Sequence, residues 1–292
     1  MARTAAAKKP SKGEIISFDI DMDAVKRRER EVARETDDEI YSRLSERFEI
    51  LTEMTKAVKS GDVRAMIVSG PPGVGKSYGV EAVLQKDDLF NKLAERKPKF
   101  EIVKGAMSAI GLYAKLYEFS EKGCVVVFDD CDSILMEDLS LNILKGALDS
   151  SERRWISWNT DSRLLRSEGI PDRFEFKGAA IFITNIKFEH VRSKKLRDHL
   201  DALESRCHYI DLQMDTQREK LLRIRQVVRE AGMLDRFDFD DPVKAEIVKF
   251  VEDNADRLRE LSLRMVLKIA DLRKSFPKTW TAMAKTTCMK RV

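Results

Sequence analysis

The sequence predicts an α/β fold: a parallel sheet of five strands with crossover helices, followed by a small all-α domain. Three features lead there. Five short apolar runs recur between Arg64 and Leu212: "RAMIVSG", "KFEIVKG", "CVVVFDD", "AAIFITN" and "CHYIDL". Segments of helical length separate them, and most of the runs are apolar on both faces, as buried parallel strands are. From Asp215 onward the strand signal stops and helical periodicity continues.

The elements follow in order. Residues 1–13 carry Arg3, Lys8, Lys9 and Lys12 and no acidic residue, and read as a disordered basic tail. The next stretch is helical by composition. Its first part is nearly all charge and forms an arm, which closes the leading region at residue 38. Its second part sets Ile40, Leu44, Phe48, Leu51 and Met54 at helical spacing, and Gly61 ends it. The α/β body is expected over 39–213, with helices at "SYGVEAVLQ", "SAIGLYAKLYEFSE", "EDLSLNILKGALDS" and "SKKLRDHLDALESR" between the strands. The helical domain, 214–292, holds "TQREKLLRIRQVVREAG", "DPVKAEIVKFVEDNA", "SLRMVLKIADLRKSF" and a weaker tail. Asp241 is expected to cap the second of these, with Pro242 in its first turn.

With 292 residues, 43% of them hydrophobic, the chain can bury a core. A net charge of +4 does not by itself argue for nucleic acid. Cys124, Cys131, Cys207 and Cys288 form no CxxC pair and have no histidine at metal spacing. That usage suits a reduced intracellular protein without disulfides or zinc. No run reaches membrane-spanning length and no secretory segment follows the N-terminus, so the expectation is a soluble, cytoplasmic protein without a membrane partner.

"GPPGVGKS", Gly70 to Ser77, fits G-x-x-x-x-G-K-[ST] between a strand and a helix. Glycines let such a loop turn its N–H groups onto phosphate oxygens, and the helix N-terminus adds positive potential. The cofactor-binding set is Gly70, Pro71, Pro72, Gly73, Val74, Gly75, Lys76, Ser77 and Tyr78. Lys76 reaches the β- and γ-phosphates of ATP, and the Ser77 hydroxyl holds Mg²⁺. "CVVVFDDCD" puts Asp129 at the C-terminal end of a buried strand, where it is the second Mg²⁺ residue. Asp130 then orients or deprotonates the attacking water. Asp132 reads as a helix cap or a solvated turn residue. "AAIFITN" ends in Asn185, whose amide can hold the water or the γ-phosphate.

The order of GPPGVGKS, VVVFDD, FITN, "LESRC" and a helical domain resembles the AAA+ ATPases, and is similar to compact phage-encoded or clamp-loader-like AAA+ modules. The resemblance covers about residues 45–275. It implies a three-layer P-loop domain with a helical lid. It also implies Mg²⁺-dependent ATP hydrolysis in a homo-oligomeric ring of about six subunits, with Asn185 as the first sensor. Arg206 stands where the family places the arginine finger that serves a neighbour's ATP, with Arg197 and Arg173 as competing candidates. Arg264 stands for the second sensor in the lid, with Arg259 as rival. The family usually has Glu where this chain has Asp130; the shorter acid leaves the chemistry in place and puts the rate in question.

The client signal is thinner. In "RRWISW", Arg154, Ile156 and Trp158 share one side of a strand, and Arg153, Trp155 and Ser157 the other. With "RFEFKG" as return strand this makes a β-hairpin. Some AAA+ motors on nucleic acid project one into the ring pore there. Arg153, Arg154, Trp155 and Trp158 are thus possible DNA contacts, the alternative being tryptophans packed on the domain. Ile110-Gly111-Leu112-Tyr113 is only a loose echo of a protein-threading loop, and Tyr113 and Tyr117 have the spacing of a packed helix face. Lys104 can face the pore or solvent. The expected role is a DNA-processing motor or loader of phage type, with DNA and a replication or recombination protein as partners. The alternatives are a protein-remodelling chaperone and an ATP-gated assembly switch.

Overall fold

Val125, Val126, Val127 and Phe128 have no polar side to turn to water, and the fold covers them on both faces. The computed structural model describes residues 30–93, 96–186, 188, 191 and 194–291. The basic residues Arg3, Lys8, Lys9 and Lys12 lie outside these. The described order is α1 (Asp37–Ser60), β1 (Ala65–Ser69), α2 (Lys76–Leu93), β2 (Phe100–Lys104), α3 (Ala109–Glu118) and β3 (Val125–Asp129). Next come α4 (Ser133–Met136), α5 (Asp138–Ala147), β4 (Trp155–Ser157), α6 (Arg163–Ser167), β5 (Arg173–Glu175), β6 (Ala179–Thr184), α7 (Lys194–Glu204) and β7 (His208–Asp211). The helical part has α8 (Gln217–Glu230), α9 (Asp241–Asp253), α10 (Leu263–Ser275) and α11 (Trp280–Cys288).

All five expected strands form one parallel sheet in the order β2-β3-β6-β1-β7. Side chains alternate between two apolar layers because successive strand residues point to opposite faces. Met66, Val68, Val125, Val127 and Ile181 pack under Leu51 and Val58 of α1 and Val80 and Leu84 of α2. Ile67, Val126, Phe128 and Phe182 face Leu112 and Leu116 of α3, Leu144 of α5 and Leu200 of α7. The result is the expected three-layer α/β body. Thr36 starts α1 with a reciprocal capping box to Glu39, and Gly61 closes it in the left-handed conformation at φ 87°.

The last four helices bury a core of their own, built on Ile224, Phe250, Val266, Ile269 and Trp280. The cap of α9 is Asp240, whose side chain accepts from the Val243 N–H, one residue before the expected Asp241. A fourth apolar cluster joins the two parts: Val32, Ile40 and Leu44 meet Val74 of the loop after β1 and Met214 and Leu222 beyond the sheet. Among the described residues no helix is long and apolar enough to cross a membrane.

The hairpin exists as β4 paired antiparallel with β5. Its alternation holds, with Trp155 and Ser157 outward and Ile156 inward. The inward side corrects the expectation for two residues. Arg154 is 8% exposed and donates to the carbonyls of Ala147 (3.0 Å) and Gly178 (2.9 Å), over the ring of Phe176. Trp158 packs 5.6 Å from Tyr113 within the core. Neither is presented to a nucleic acid. The hairpin lies on α3 and α5 through its buried face, and only its outer side, with Arg153 and Trp155, meets solvent.

Arg154 therefore carries stability. Arg154→Ala strands two buried carbonyls and is expected to cost about 2–4 kcal/mol. Arg153→Ala, one residue away on the exposed side, should stay within about 0.5 kcal/mol. Urea unfolding of the two variants measures the contrast, and equal losses would contradict this reading of the hairpin.

Candidate nucleotide site

β1 ends at Ser69 and α2 begins at Lys76, so six residues must reverse the chain over the sheet's C-terminal edge. Gly73 (φ 73°) and Gly75 (φ 103°) take left-handed conformations that side chains resist. Gly73 is also crowded: a Cβ there would sit 2.7 Å from the Cβ of Ser262 at the start of α10. The Leu263 N–H donates to the Gly73 carbonyl at 2.8 Å, so the helical part rests directly on the loop.

Lys76 is folded into the centre of this turn. Its Nζ donates to the carbonyls of Gly70 (2.6 Å) and Pro71 (2.9 Å) and to Asn185 Oδ1 (2.8 Å). Burial pulls its pKa down to about 8, against the pull of Asp130 and Asp129; Arg264 lowers it further. Ser77 Oγ donates to Asp129 Oδ1 at 2.8 Å, and Lys104 Nζ lies 3.3 Å from Asp129 Oδ2. Asn185 Nδ2 donates to Asp130 Oδ1 at 2.8 Å. Asp130 leaves β3 with φ 54°, a conformation that Asp tolerates better than most residues. Its N–H is held by the Ile183 carbonyl.

Lys76, Ser77, Asp129, Asp130 and Asn185 are thus brought together. The remaining loop residues divide. Pro71 and Pro72 shape the turn, Val74 is buried in the junction cluster, and Tyr78 is 71% exposed on the first turn of α2. Asp132 does not cap α4 with its side chain; it accepts from Thr184 Oγ1 at 2.8 Å and is raised in pKa by burial. Arg264 is exposed in the first turn of α10, its Cγ 3.6 Å from where a Gly73 Cβ would stand. Arg259 is tied by its backbone to Cys288, on the strand bridge between Leu258 and Met289.

Arg206 lies elsewhere. It precedes β7, whose first residue, His208, is level with Met66 near the start of β1. The phosphate loop leaves the other end of β1, so Arg206 is at the opposite edge of the sheet. Its guanidinium is half-buried, donates to Ala202 O, and lines a cleft of about 350 Å³ with Arg64, Asp149 and Ser205. Of the rivals, Arg197 is spent on the Val191 carbonyl and Arg173 lies over the Trp155 ring at 4.5 Å.

Arg223 of α8 escaped the sequence reading. Its guanidinium stacks on Phe48 of α1, 3.3 Å from the ring centroid, and its Nη2 is 3.9 Å from a Cβ built at Gly75. Burial lowers its pKa to about 10, which leaves it charged. It lines a cleft of about 330 Å³ between α1 and α8 beside the loop. In sequence it is one of several charges on a polar helix, and only the packing of α8 singles it out.

A phosphate ligand fits this turn: a central amine, left-handed glycines and a helix N-terminus. Mg²⁺ fits the oxygen pair of Ser77 and Asp129, since it keeps waters and shares phosphate ligands. Among the described residues no group of three or more His, Cys, Asp or Glu could hold a metal ion. An amine titrating at about 8 must gain charge when phosphates arrive. The bound pKa is then the higher one, so affinity is full below about pH 8 and is lost as pH rises through it. Calorimetry at pH 8.5 in buffers of different ionisation enthalpy should register proton uptake on nucleotide binding, and none in Lys76→Arg.

Comparison with known proteins agrees with this geometry. The family model "ATPase family associated with various cellular activities (AAA)" matches residues 66–165. The uncharacterized 36.7 kDa protein in the nrdC-mobD intergenic region of Enterobacteria phage T4 is 33% identical over 272 residues, 92% of this chain and 81% of that protein. Among solved structures, domain III of the replication initiation protein DnaA from Thermotoga maritima aligns with a TM-score of 0.46 and 12% identity, covering 85% of this chain and 92% of that one. The family match spans β1, the loop bearing Lys76 and the strand bearing Asp129, which is where the geometry converges. The chain belongs to the AAA+ ATPases, alongside a phage protein.

Proposed function

We propose that this chain is a Mg²⁺-dependent ATPase that acts as a homo-oligomeric ring, a hexamer, and spends hydrolysis on DNA. The observation that carries the ATPase reading is the hydrogen-bonded series Lys76–Asn185–Asp130 beside the Ser77–Asp129 pair. Lys76 takes the β- and γ-phosphates in exchange for the Asn185 amide oxygen. Ser77 and Asp129 hold Mg²⁺, which when bound offsets charge on the phosphates. Asp130 receives and orients the attacking water, and Asn185 positions both that acid and the γ-phosphate. Arg264 approaches the phosphates from α10, and the cleft beside Arg223 and Phe48 receives the rest of the nucleotide.

Arg206 cannot serve this site from the opposite edge of the sheet. His208 is level with Met66, three residues before the strand end, which alone amounts to about 10 Å. We assign it to a neighbour's γ-phosphate, an effect worth about 10³–10⁵ in rate where such fingers act. The DNA reading rests on the outer face of the hairpin, where Trp155 is 43% exposed under Arg173 and next to Arg153. A cation on an exposed indole suits a phosphate backbone and stacked bases. Tyr113, fully buried with its hydroxyl on the Pro171 carbonyl, lies on α3 and takes no part in threading a protein.

Asp130→Asn should bind ATP and lose hydrolysis. Arg206→Ala should bind ATP, hydrolyse it poorly, and when mixed with wild type depress the rate more than its mole fraction. A strictly proportional loss would refute the neighbour-serving role. ATPase rate per subunit should rise with protein concentration and again with DNA. Trp155→Ala and Arg173→Ala should remove the DNA response and spare the basal rate. Stimulation by an unfolded protein, with none by DNA, would give the ring a protein client instead, in a chaperone or replication-partner role.

A further inference from the structure

Asp129 has both carboxylate oxygens engaged by its own chain. Ser77 Oγ holds Oδ1 at 2.8 Å, and Lys104 Nζ stands 3.3 Å from Oδ2. The two members of the ion pair differ sharply in exposure. The Asp129 side chain is 6% exposed and that of Lys104 is 61% exposed. The pair is fixed by the sheet: Lys104 is the last residue of β2 and Asp129 the last of β3, directly in register. A buried carboxylate with no cation nearby is costly, and a flexible lysine arm reaching in from solvent can supply one.

We propose that Lys104 is a resident counter-ion for Asp129, holding the place of the divalent cation until nucleotide and metal arrive together. The inference rests on the reading of Asp129 as the Mg²⁺ carboxylate. The ammonium neutralises the acid while the site is metal-free, which lets phosphates approach. The incoming cation must then displace it from Oδ2. Lys104 can leave because its side chain is mostly exposed to solvent. Metal loading is thereby coupled to nucleotide, since a lone carboxylate–hydroxyl pair holds Mg²⁺ weakly without phosphate oxygens beside it.

The test is the binding of a fluorescent, non-hydrolysable ATP analogue with EDTA and with saturating Mg²⁺. The quantity read is the ratio of the two Kd values. In Lys104→Met the metal-free affinity falls, because Asp129 faces the phosphates without its ion-pair partner, while the Mg²⁺ affinity holds or improves. The ratio should rise by about three- to tenfold. Lys104→Arg keeps the charge and should keep the wild-type ratio. Simple loss of positive charge near the site would weaken both affinities alike and leave the ratio unchanged, which would overturn the proposal, as would a lower ratio. Asp129→Asn separates the two readings. It should bring the ratio close to one and make residue 104 immaterial; a ratio that survives Asp129→Asn would instead refute the metal role of Asp129.

Discussion

The site depends on the parallel register of β6 between β1 and β3. Ser69 is level with Thr184 and Asp129 with Ile183, so the loop that follows β1, the acids that end β3 and the Asn185 amide emerge on one line. A slip of one residue would turn every β6 side chain to the other face and withdraw Asn185 from Lys76. Buried hydroxyls hold that register at its end. Ser69 Oγ donates to the Ile186 carbonyl, while Thr184 Oγ1 accepts from the Ile186 N–H and donates to Asp132. These bonds tie three strand ends together beneath the charged groups, where water cannot substitute for them.

The same edge supports the helical part. Ser262 and Leu263 pack on Gly73, and Val74 enters the apolar junction with Leu222. The segment before α1 is bound to α8 by charge: Arg218 pairs with Asp37 and reaches the carbonyls of Val32 and Glu35, and Arg43 bridges Glu35 and the buried Glu219. A loop that must admit phosphates is therefore in contact with the elements around it. Gly73 and Val74 thus touch α10 and α8, and α8 in turn holds the segment before α1.

The five strands were legible because a run such as "CVVVFDD" calls for burial on both faces inside a sheet. The loop from Gly70 to Ser77 was legible because its glycines and lysine have no ordinary packing role. The hairpin was half legible. Its period of two appeared in "RRWISW", but periodicity does not say which side is covered, and Arg154 and Trp158 proved to be on the covered one. Asp132 and Asp240 show two limits of capping rules: Asp132 is taken by Thr184, which sequence does not place beside it, while Asp240 makes the ordinary local cap to Val243 and only the choice between adjacent acids was missed. Arg223 and the Lys104–Asp129 pair were illegible for a deeper reason. Stacking on Phe48 depends on how α8 meets α1, and a lysine at a strand end looks solvated until the adjacent strand supplies an acid.

The geometry also bears on the shorter acid. Asp130 has one torsion fewer than Glu and less reach, yet it is directed from two sides, by a left-handed backbone and by the Asn185 amide. Asn185 in turn gives its carbonyl oxygen to Lys76. Cation, amide and carboxylate therefore satisfy one another before any ligand is present, so none is a stranded charge and none must be assembled afterwards. What a phosphate can do is replace the amide oxygen as the partner of Lys76, leaving Asn185 held by Asp130 alone and free to turn toward the new oxygen. The polar series thus keeps all three groups satisfied, and its Asn185–Lys76 bond is the one that a phosphate oxygen can replace.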